Sequence, residues 1–312
     1  MIANNKDVSI TGEMTEPGTL APGEHSVAID GIELRYHVAG RGPICFVHPG
    51  GPGVGWEYMK MPEVEEHLTL VYIEPIGTGS SGRLADPRGY ILDRYARYVD
   101  GLTEHFRLGK VCLLGHSHGG FVAQRYALQH PERLSGLILY ETSPTTTEDF
   151  WADVNENLGR FTERHADESW LADVMNALEE EMSVASGEHA TDEQLTEIFR
   201  RQFPVYFADY SGREREFAPL AARLRLFSGP GRGEEPMPFD MRGELEFIRV
   251  PTLIIVGEHD PICSLKWARV LHEGISSSEL VVFKRSGHFP HFEEPEAFSK
   301  AIRKWFERIP QP

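Results

Sequence analysis

Short, continuous apolar segments recur along this chain of 312 residues, and they limit its possible folds more than any other feature. Runs that are apolar on both faces are typical of parallel strands that helices cover on both sides. They are PICFVH (43–48), LTLVYIE (68–74), KVCLLGH (110–116), LSGLILY (134–140) and PTLIIVG (251–257). The chain is therefore expected to contain a buried parallel sheet.

Stretches with helical periodicity alternate with these runs, notably residues 90–108 and 119–130. Two further strand candidates near the N-terminus flank Asp30-Gly31, a dipeptide typical of a two-residue hairpin turn. After residue 251 the alternation resumes and ends in a helix that follows Pro295. This order of elements predicts a doubly wound α/β fold.

From Thr145 to about Arg225 the strand-like runs stop, and apolar residues recur at helical spacing instead. The change predicts a helical insertion after the sixth strand, lying as a lid over the strand ends. We therefore divide the chain into a core of residues 1–143 and 241–312 and a helical cap of residues 144–240. Within the cap, the Gly- and Pro-rich residues 228–238 are predicted to lead back to the core.

The formal net charge of -17 argues against a nucleic-acid or anionic-membrane partner, because both would be repelled. The N-terminus lacks the basic start and apolar centre of a secretory signal, and no stretch approaches the length of a membrane span. Cys45 and Cys112 lie inside apolar runs, as buried thiols do. We expect a cytoplasmic protein that acts on a small-molecule substrate.

The negative charge is concentrated in residues 144–243, which carry 21 acidic and 10 basic side chains and no lysine. Solvated helix faces are the ordinary explanation for such a composition. An electrostatic field that attracts cationic substrates is the alternative.

A serine lies at the junction of a predicted strand and a predicted helix, in the pattern G-x-S-x-G formed by Gly115, Ser117 and Gly119. The glycines leave room for a sharp turn that exposes the serine hydroxyl at the sheet edge. The helix N-terminus then points its N–H groups at whatever the serine attacks. The pattern predicts that Ser117 is a nucleophile.

A serine hydroxyl needs a base to remove its proton, and that base needs an acid to orient it. His288 directly follows the last predicted strand and is the predicted base, whereas His291 is expected to pack or to cap a helix. Asp260 ends the preceding strand segment and is the predicted acid. Glu141, which directly follows LSGLILY, is the rival for that role.

An acyl-transfer site also needs N–H donors for the oxyanion. We expect one from His118 and one from the loop after the third strand, where Gly51 is favoured over Gly50. No third ligand at a recognisable spacing accompanies His116 and His118, so no metal is expected. No phosphate or dinucleotide fingerprint is present in the sequence, so no cofactor is expected.

From about Glu24 onward the chain resembles the α/β-hydrolase superfamily, and in particular its proline-iminopeptidase-like branch. The motifs that carry the resemblance are HPGGPG (48–53), EPIGTGSSG (74–82), GHSHGG (115–120), GEHDPIC (257–263) and SGHFPHFEEPEAF (286–298). The resemblance implies an α/β-hydrolase fold: a mostly parallel eight-stranded sheet flanked by helices, with a helical cap after strand 6. Two motifs depart from the branch: Pro49 interrupts its H-G-G-P-G loop, and His116 and His118 replace the Gly and Trp of its G-G-S-W-G elbow.

The catalytic residues and the resemblance together predict a serine hydrolase that cleaves a carboxylic ester or lactone through an acyl-enzyme. Release of N-terminal proline is the first alternative, because peptidases of the branch hold the substrate amine with acidic cap residues. A ligand-binding receptor that keeps the fold without turnover is a further alternative.

Overall fold

The computed structural model describes residues 18–185, 190–230 and 239–309. Within them, eight strands form one sheet in the order β1-β2-β4-β3-β5-β6-β7-β8. The strands are β1 (Gly23–Ile29), β2 (Ile32–Gly40), β3 (Ile44–His48), β4 (Thr69–Glu74), β5 (Val111–His116), β6 (Leu134–Tyr140), β7 (Thr252–Gly257) and β8 (Ser278–Phe283). The pairs β1–β2 and β2–β4 are antiparallel and the other pairs are parallel, which confirms the predicted sheet.

Local sequence explains the two kinds of strand. Asp30 and Gly31 both have positive φ, 52° and 80°, as a two-residue hairpin turn between β1 and β2 requires. Strands β4 to β7 are buried along their whole length, which is why their sequences are apolar without alternation.

Helices cover both faces of the sheet. They are α1 (Pro62–Glu65), α2 (Leu92–His105), α3 (His118–Gln129), α8 (Leu265–Gly274), α9 (Pro290–Glu293) and α10 (Pro295–Phe306). One apolar core includes side chains of α2, α3 and α8, and the core on the opposite face includes side chains of α1 and α10. The sheet is thus the middle layer of three.

Among the described residues between β6 and β7 are four α-helices: α4 (Glu148–Arg164), α5 (Leu171–Ala185), α6 (Asp192–Gln202) and α7 (Glu214–Arg223). The segments that lead into and out of this helical insertion run side by side, since Thr145 and Asp240 form an antiparallel bridge. The Met241 N–H also donates to the Pro144 carbonyl at 2.8 Å. The insertion after strand 6 is confirmed, whereas the domain boundaries at residues 144 and 240 stay a prediction.

Part of the predicted linker, residues 231–238, lies outside the described residues. No described helix has the length and apolar character needed to cross a bilayer. Cys45, Cys112 and Cys263 are buried free thiols. The cytoplasmic location stays a prediction.

Candidate active site

The turn between β5 and α3 presents Ser117 in a strained backbone conformation, with φ 52° and ψ −120°. Its N–H donates to the Tyr140 carbonyl at 2.9 Å, and its own carbonyl accepts from the Gly120 N–H at 2.8 Å. A Cβ on Gly119 would lie 2.3 Å from the His48 carbonyl oxygen, so only glycine allows the helix to approach the β3 loop. The local sequence therefore fixes the serine at the sheet edge.

His288 lies in the loop between β8 and α9, and Asp260 follows β7. The His288 Nδ1 lies 2.7 Å from the Asp260 Oδ2, and both side chains are buried. The other carboxylate oxygen, Oδ1, accepts from the Ile262 N–H at 2.8 Å. Burial by itself would raise the pKa of Asp260, but the His288 charge and the hydrogen bonds hold that pKa below its usual value.

Glu141, the rival acid, lies in the same cluster. Its side chain is fully buried, and its Oε1 accepts from the Gly257 N–H at 2.5 Å. One donor or acceptor atom each of Glu141, Asp260 and His288 lies within 4.8 Å of the others. Burial, and then the neighbouring Asp260 charge, raise the pKa of Glu141 well above its usual value. The pKa values of the two acids are therefore shifted in opposite directions, although both acids are close to the imidazole.

A chain of hydrogen bonds joins the elbow to both neighbouring loops. The Gly50 N–H donates to the Tyr58 hydroxyl at 2.7 Å, and this hydroxyl lies 2.7 Å from the His116 Nδ1. The His116 Nε2 lies 3.1 Å from the His288 carbonyl oxygen. With an N–H at Nε2, His116 donates to that carbonyl and accepts from Tyr58. His116, held by Tyr58, thus fixes the backbone that carries His288.

His291 takes part in a second buried chain rather than capping a helix. Its Nδ1 lies 2.7 Å from the Tyr140 hydroxyl and its Nε2 lies 2.9 Å from the Tyr58 carbonyl. Burial lowers the pKa of His291 to about 4, so the imidazole is neutral at physiological pH. Because both ring nitrogens already have partners, His291 is poorly placed to serve Ser117.

The predicted oxyanion loop borders the serine. A Cβ added to Gly50 would lie 3.0 Å from the Ser117 Cβ, so this loop passes directly over the elbow. The Gly50 N–H is already engaged by Tyr58, whereas Gly51 follows it with a φ of 130°. The His118 ring contacts Tyr95, and burial lowers the pKa of His118 to about 3. The His118 side chain therefore brings no positive charge to this loop.

The helical insertion contributes one wall of the site. The His288 N–H donates to the Tyr206 carbonyl at 2.7 Å, and the two rings are 5.6 Å apart. Glu293 joins the same two regions, since its carboxylate accepts from the Ala208 N–H at 2.9 Å and from the Gly287 N–H at 2.7 Å. Burial raises the pKa of Glu293 to about 7.

Sequence reasoning brought Ser117, Asp260 and His288 to one edge, and the structure places them there. It missed the roles of Tyr58, His116 and Glu293, which depend on partners far away in the chain. One feature of the sequence could have indicated these residues: they are polar residues within largely apolar segments, and buried polar groups need hydrogen-bond partners. Within the described residues, the Glu141, Asp260 and His288 cluster is also the group with a metal-like spacing, and it contains the hydrogen bond between His288 and Asp260.

A family model described as "alpha/beta hydrolase fold" matches residues 43–295. The chain is 28% identical to a Bacillus subtilis protein provisionally named 2-succinyl-6-hydroxy-2,4-cyclohexadiene-1-carboxylate synthase, over 90% of this chain and 97% of the other. It is 25% identical to the proline iminopeptidase of Saccharolobus solfataricus, over 88% of each chain.

Among solved structures, an alpha/beta fold family hydrolase from Bacillus anthracis superposes with a TM-score of 0.71. The identity is 19%, and the match covers 90% of this chain and 98% of the other. This likeness concerns the fold, while the family match concerns most of the sequence. The protein is therefore a member of the α/β-hydrolase fold family of enzymes and a relative of the proline iminopeptidases.

Proposed function

We propose that this protein is a serine hydrolase that cleaves an acyl bond, a carboxylic ester or a lactone, of a small molecule. Ser117 is the nucleophile, His288 the general base and Asp260 the acid that orients it. The observation that carries the proposal is the strained Ser117 elbow, in which the neighbouring His116 ring lies 4.6 Å from the buried His288 ring, together with the 2.7 Å hydrogen bond between His288 and Asp260. This is the arrangement that activates a hydroxyl for attack on a carbonyl carbon.

The reaction proceeds in two steps. His288 Nε2 takes the proton from Ser117 as its Oγ attacks the carbonyl, and Asp260 stabilises the imidazolium that forms. The N–H groups of His118 and Gly51 stabilise the oxyanion, and Gly50 holds the loop through Tyr58. His288 then protonates the leaving alcohol. Water, activated by His288, releases the acid from Ser117.

A neutral acyl group fits this site best. Burial lowers the pKa of His48 to about 4 and that of His118 to about 3, so both are uncharged at physiological pH. The aromatic rings of Tyr206 and Phe289 lie within 6 Å of the His288 ring. An apolar, uncharged acyl chain gains most from such surroundings, which supports an ester or lactone substrate.

Proline iminopeptidase activity is the second candidate, and a carboxylate in the insertion favours it. Glu181 on α5 is half-buried and accepts from the Gln202 Nε2 at 2.8 Å. Its charge acts on the Tyr206 hydroxyl, whose ring lies against His288. A carboxylate on this side of the site could bind a substrate ammonium group.

Rates on p-nitrophenyl esters, lactones and proline p-nitroanilide would separate the candidates. We expect an ester or lactone to be the fastest substrate, and Ser117→Ala to abolish its turnover. Glu181→Gln should leave that rate nearly unchanged, as should the matched exposed change Glu179→Gln. If the proline anilide were fastest and its rate fell in Glu181→Gln but not in Glu179→Gln, the second candidate would replace the first.

A further inference from the structure

Two buried carboxyl groups meet behind the proposed base. Glu141 is 0% exposed and Asp260 is 3% exposed, and their nearest carboxyl oxygens lie within 4.8 Å of each other. Two ionised carboxylates this close and this deeply buried repel each other strongly, so one of them keeps a proton.

The hydrogen bonds decide which one keeps it. Asp260 accepts from the His288 ring and from the Ile262 N–H, so donors surround it as they surround a charged carboxylate. Glu141 accepts from a single backbone donor through Oε1, and its buried Oε2 has no donor among the described residues. An oxygen without a donor is the natural place for a hydroxyl proton.

The backbone holds Glu141 in this position at a cost. Its φ is +43°, a region that residues other than glycine rarely adopt, while its N–H donates to the Ile255 carbonyl at 2.9 Å. Strain in a buried polar residue indicates that the surrounding structure enforces the placement of its side chain.

We propose that Glu141 is a protonated carboxylic acid that donates its O–H to the Asp260 carboxylate and acts as a positioning residue for the Asp260–His288 pair. Asp260 thus accepts one hydrogen bond from the Glu141 O–H and one from the His288 N–H, and the three groups together carry a single negative charge. Its effect on turnover rests on the proposed function, whereas the protonation state of Glu141 does not.

The charged groups that act on Glu141 favour this distribution. Tyr140 precedes Glu141, and the negative charge of Glu293 raises the Glu141 pKa further. Cys263 lies near both carboxyl groups, and burial keeps its thiol protonated. The Tyr206 hydroxyl feels the Asp260 charge and stays protonated for the same reason. Within the described residues, His288 is the basic partner of Asp260, and Glu141 has no basic partner of its own.

The donated O–H stabilises the charge on Asp260 and helps to hold the pKa of that carboxyl low. Replacement of Glu141 by leucine removes the donor. The Asp260 pKa should then rise, so that Asp260 becomes protonated at a higher pH and no longer orients His288. The acid limb of the kcat/KM profile should therefore move to higher pH.

Infrared difference spectroscopy tests the proton directly, at about pH 8.5, where Glu293 with its pKa of about 7 has ionised. Glu141→Gln should remove a protonated-carboxyl C=O band. The matched control is Glu74→Gln, at another buried glutamate. Hydrogen bonds from His37 and from backbone N–H groups hold the pKa of Glu74 low against the effect of burial. Glu74→Gln should therefore remove no such band. Equal spectra of wild type and Glu141→Gln in this region would overturn the proposal.

Kinetics test the positioning role. Glu141→Gln keeps a donor for Asp260 and an acceptor for Gly257, so its kcat/KM should stay within about fivefold, with the acid limb in place. Glu141→Leu should lose on the order of 10- to 100-fold, mainly in kcat, the size expected for one hydrogen bond to a charged group. If Glu141 were ionised, Glu141→Gln would instead move the acid limb to lower pH, because it would remove a negative charge next to Asp260.

Two outcomes separate this proposal from the proposed function. If the wild type neither hydrolyses esters nor reacts at Ser117 while the infrared band is still lost in Glu141→Gln, the function fails and the proton assignment stands. If one equivalent of a metal ion copurifies and is lost in Glu141→Gln, the three groups are metal ligands and the proton assignment fails.

Discussion

The floor of the site and the helical insertion above it are built from different interactions. The floor, formed by loops at the carboxyl ends of the strands, holds buried polar groups such as His116, Asp260 and His291. The insertion stabilises its surface with exposed ion pairs such as Arg201–Asp173. An exposed pair contributes about 0–1 kcal/mol, whereas an orphaned buried group costs about 1–3 kcal/mol. The floor should therefore tolerate little change, and the insertion should tolerate much.

The largest difference between the two regions should appear in catalysis. Asp260→Asn, on the floor, leaves the packing volume nearly intact but removes the charge that stabilises the His288 imidazolium. We expect kcat on the best ester to fall by roughly 10⁴-fold. Asp173→Asn, the matched change in the insertion, should leave kcat within about twofold. Comparable losses in the two variants would show that the distinction between the regions is wrong.

The junction of the two regions should respond to pH through Glu293. Burial raises the pKa of this carboxyl from an ordinary 4.5 to about 7, so the folded state binds its proton more tightly. That contribution to stability is complete below about pH 4.5 and is lost as pH rises to about 7, by up to roughly 3 kcal/mol.

Urea denaturation of the wild type and Glu293→Gln from about pH 5 to about pH 8 measures this contribution. As pH rises, the free energy of unfolding of the wild type should fall relative to that of Glu293→Gln, even if the variant is less stable at every pH. A difference that stays constant over this range would contradict the raised pKa.

Glycine substitutions compare the two regions by packing alone. A methyl group on Gly119 would meet the backbone oxygens of His48 and Pro49 at 2.3 and 2.5 Å, so Gly119→Ala should cost about 1–3 kcal/mol of folding free energy. Gly159 in α4 is exposed and has no neighbour within 4 Å. Gly159→Ala should therefore stabilise the protein by about 0.5–1 kcal/mol. Chemical denaturation checks whether the two effects have opposite signs.

A smaller effect is expected from the hydroxyl that connects the floor loops. Tyr58→Phe leaves the aromatic packing in place but orphans the Gly50 N–H and the His116 Nδ1. We expect kcat to fall by about tenfold with little change in KM. Tyr210→Phe, in the insertion, should have no measurable effect. An equal kcat for wild type and Tyr58→Phe would mean that the two loops are held by other contacts.

The sequence predicted the elements of the sheet and the edge at which the site lies, because these depend on local patterns. The apolar runs that became β3 to β7 and the Asp30-Gly31 turn needed no distant information. It also predicted Asp260 over Glu141 as the partner of His288, from their order along the chain. It could not predict that both acids lie together, since the contact depends on how β6 and β7 pair.

The buried network under the site could not be predicted for the same reason. Tyr58, His116 and His288 come from segments more than 50 residues apart, and no spacing in the sequence connects them. The helical periodicity of residues 145–225 predicted helices but not which carboxylates turn inward. The contact of Glu181 with Gln202 became visible only with the packing of α5 against α6. Glu293, outside this segment, was identified only once the packing of the insertion against the histidine loop was known.

A fluorophosphonate probe tests the central claim most directly, because it reacts with a serine only when a base has activated its hydroxyl. The purified protein, treated with the probe and digested, is measured by mass spectrometry. The account predicts a single stoichiometric adduct on Ser117 that is absent in His288→Ala. A folded protein that is not labelled, or is labelled equally without His288, would contradict it.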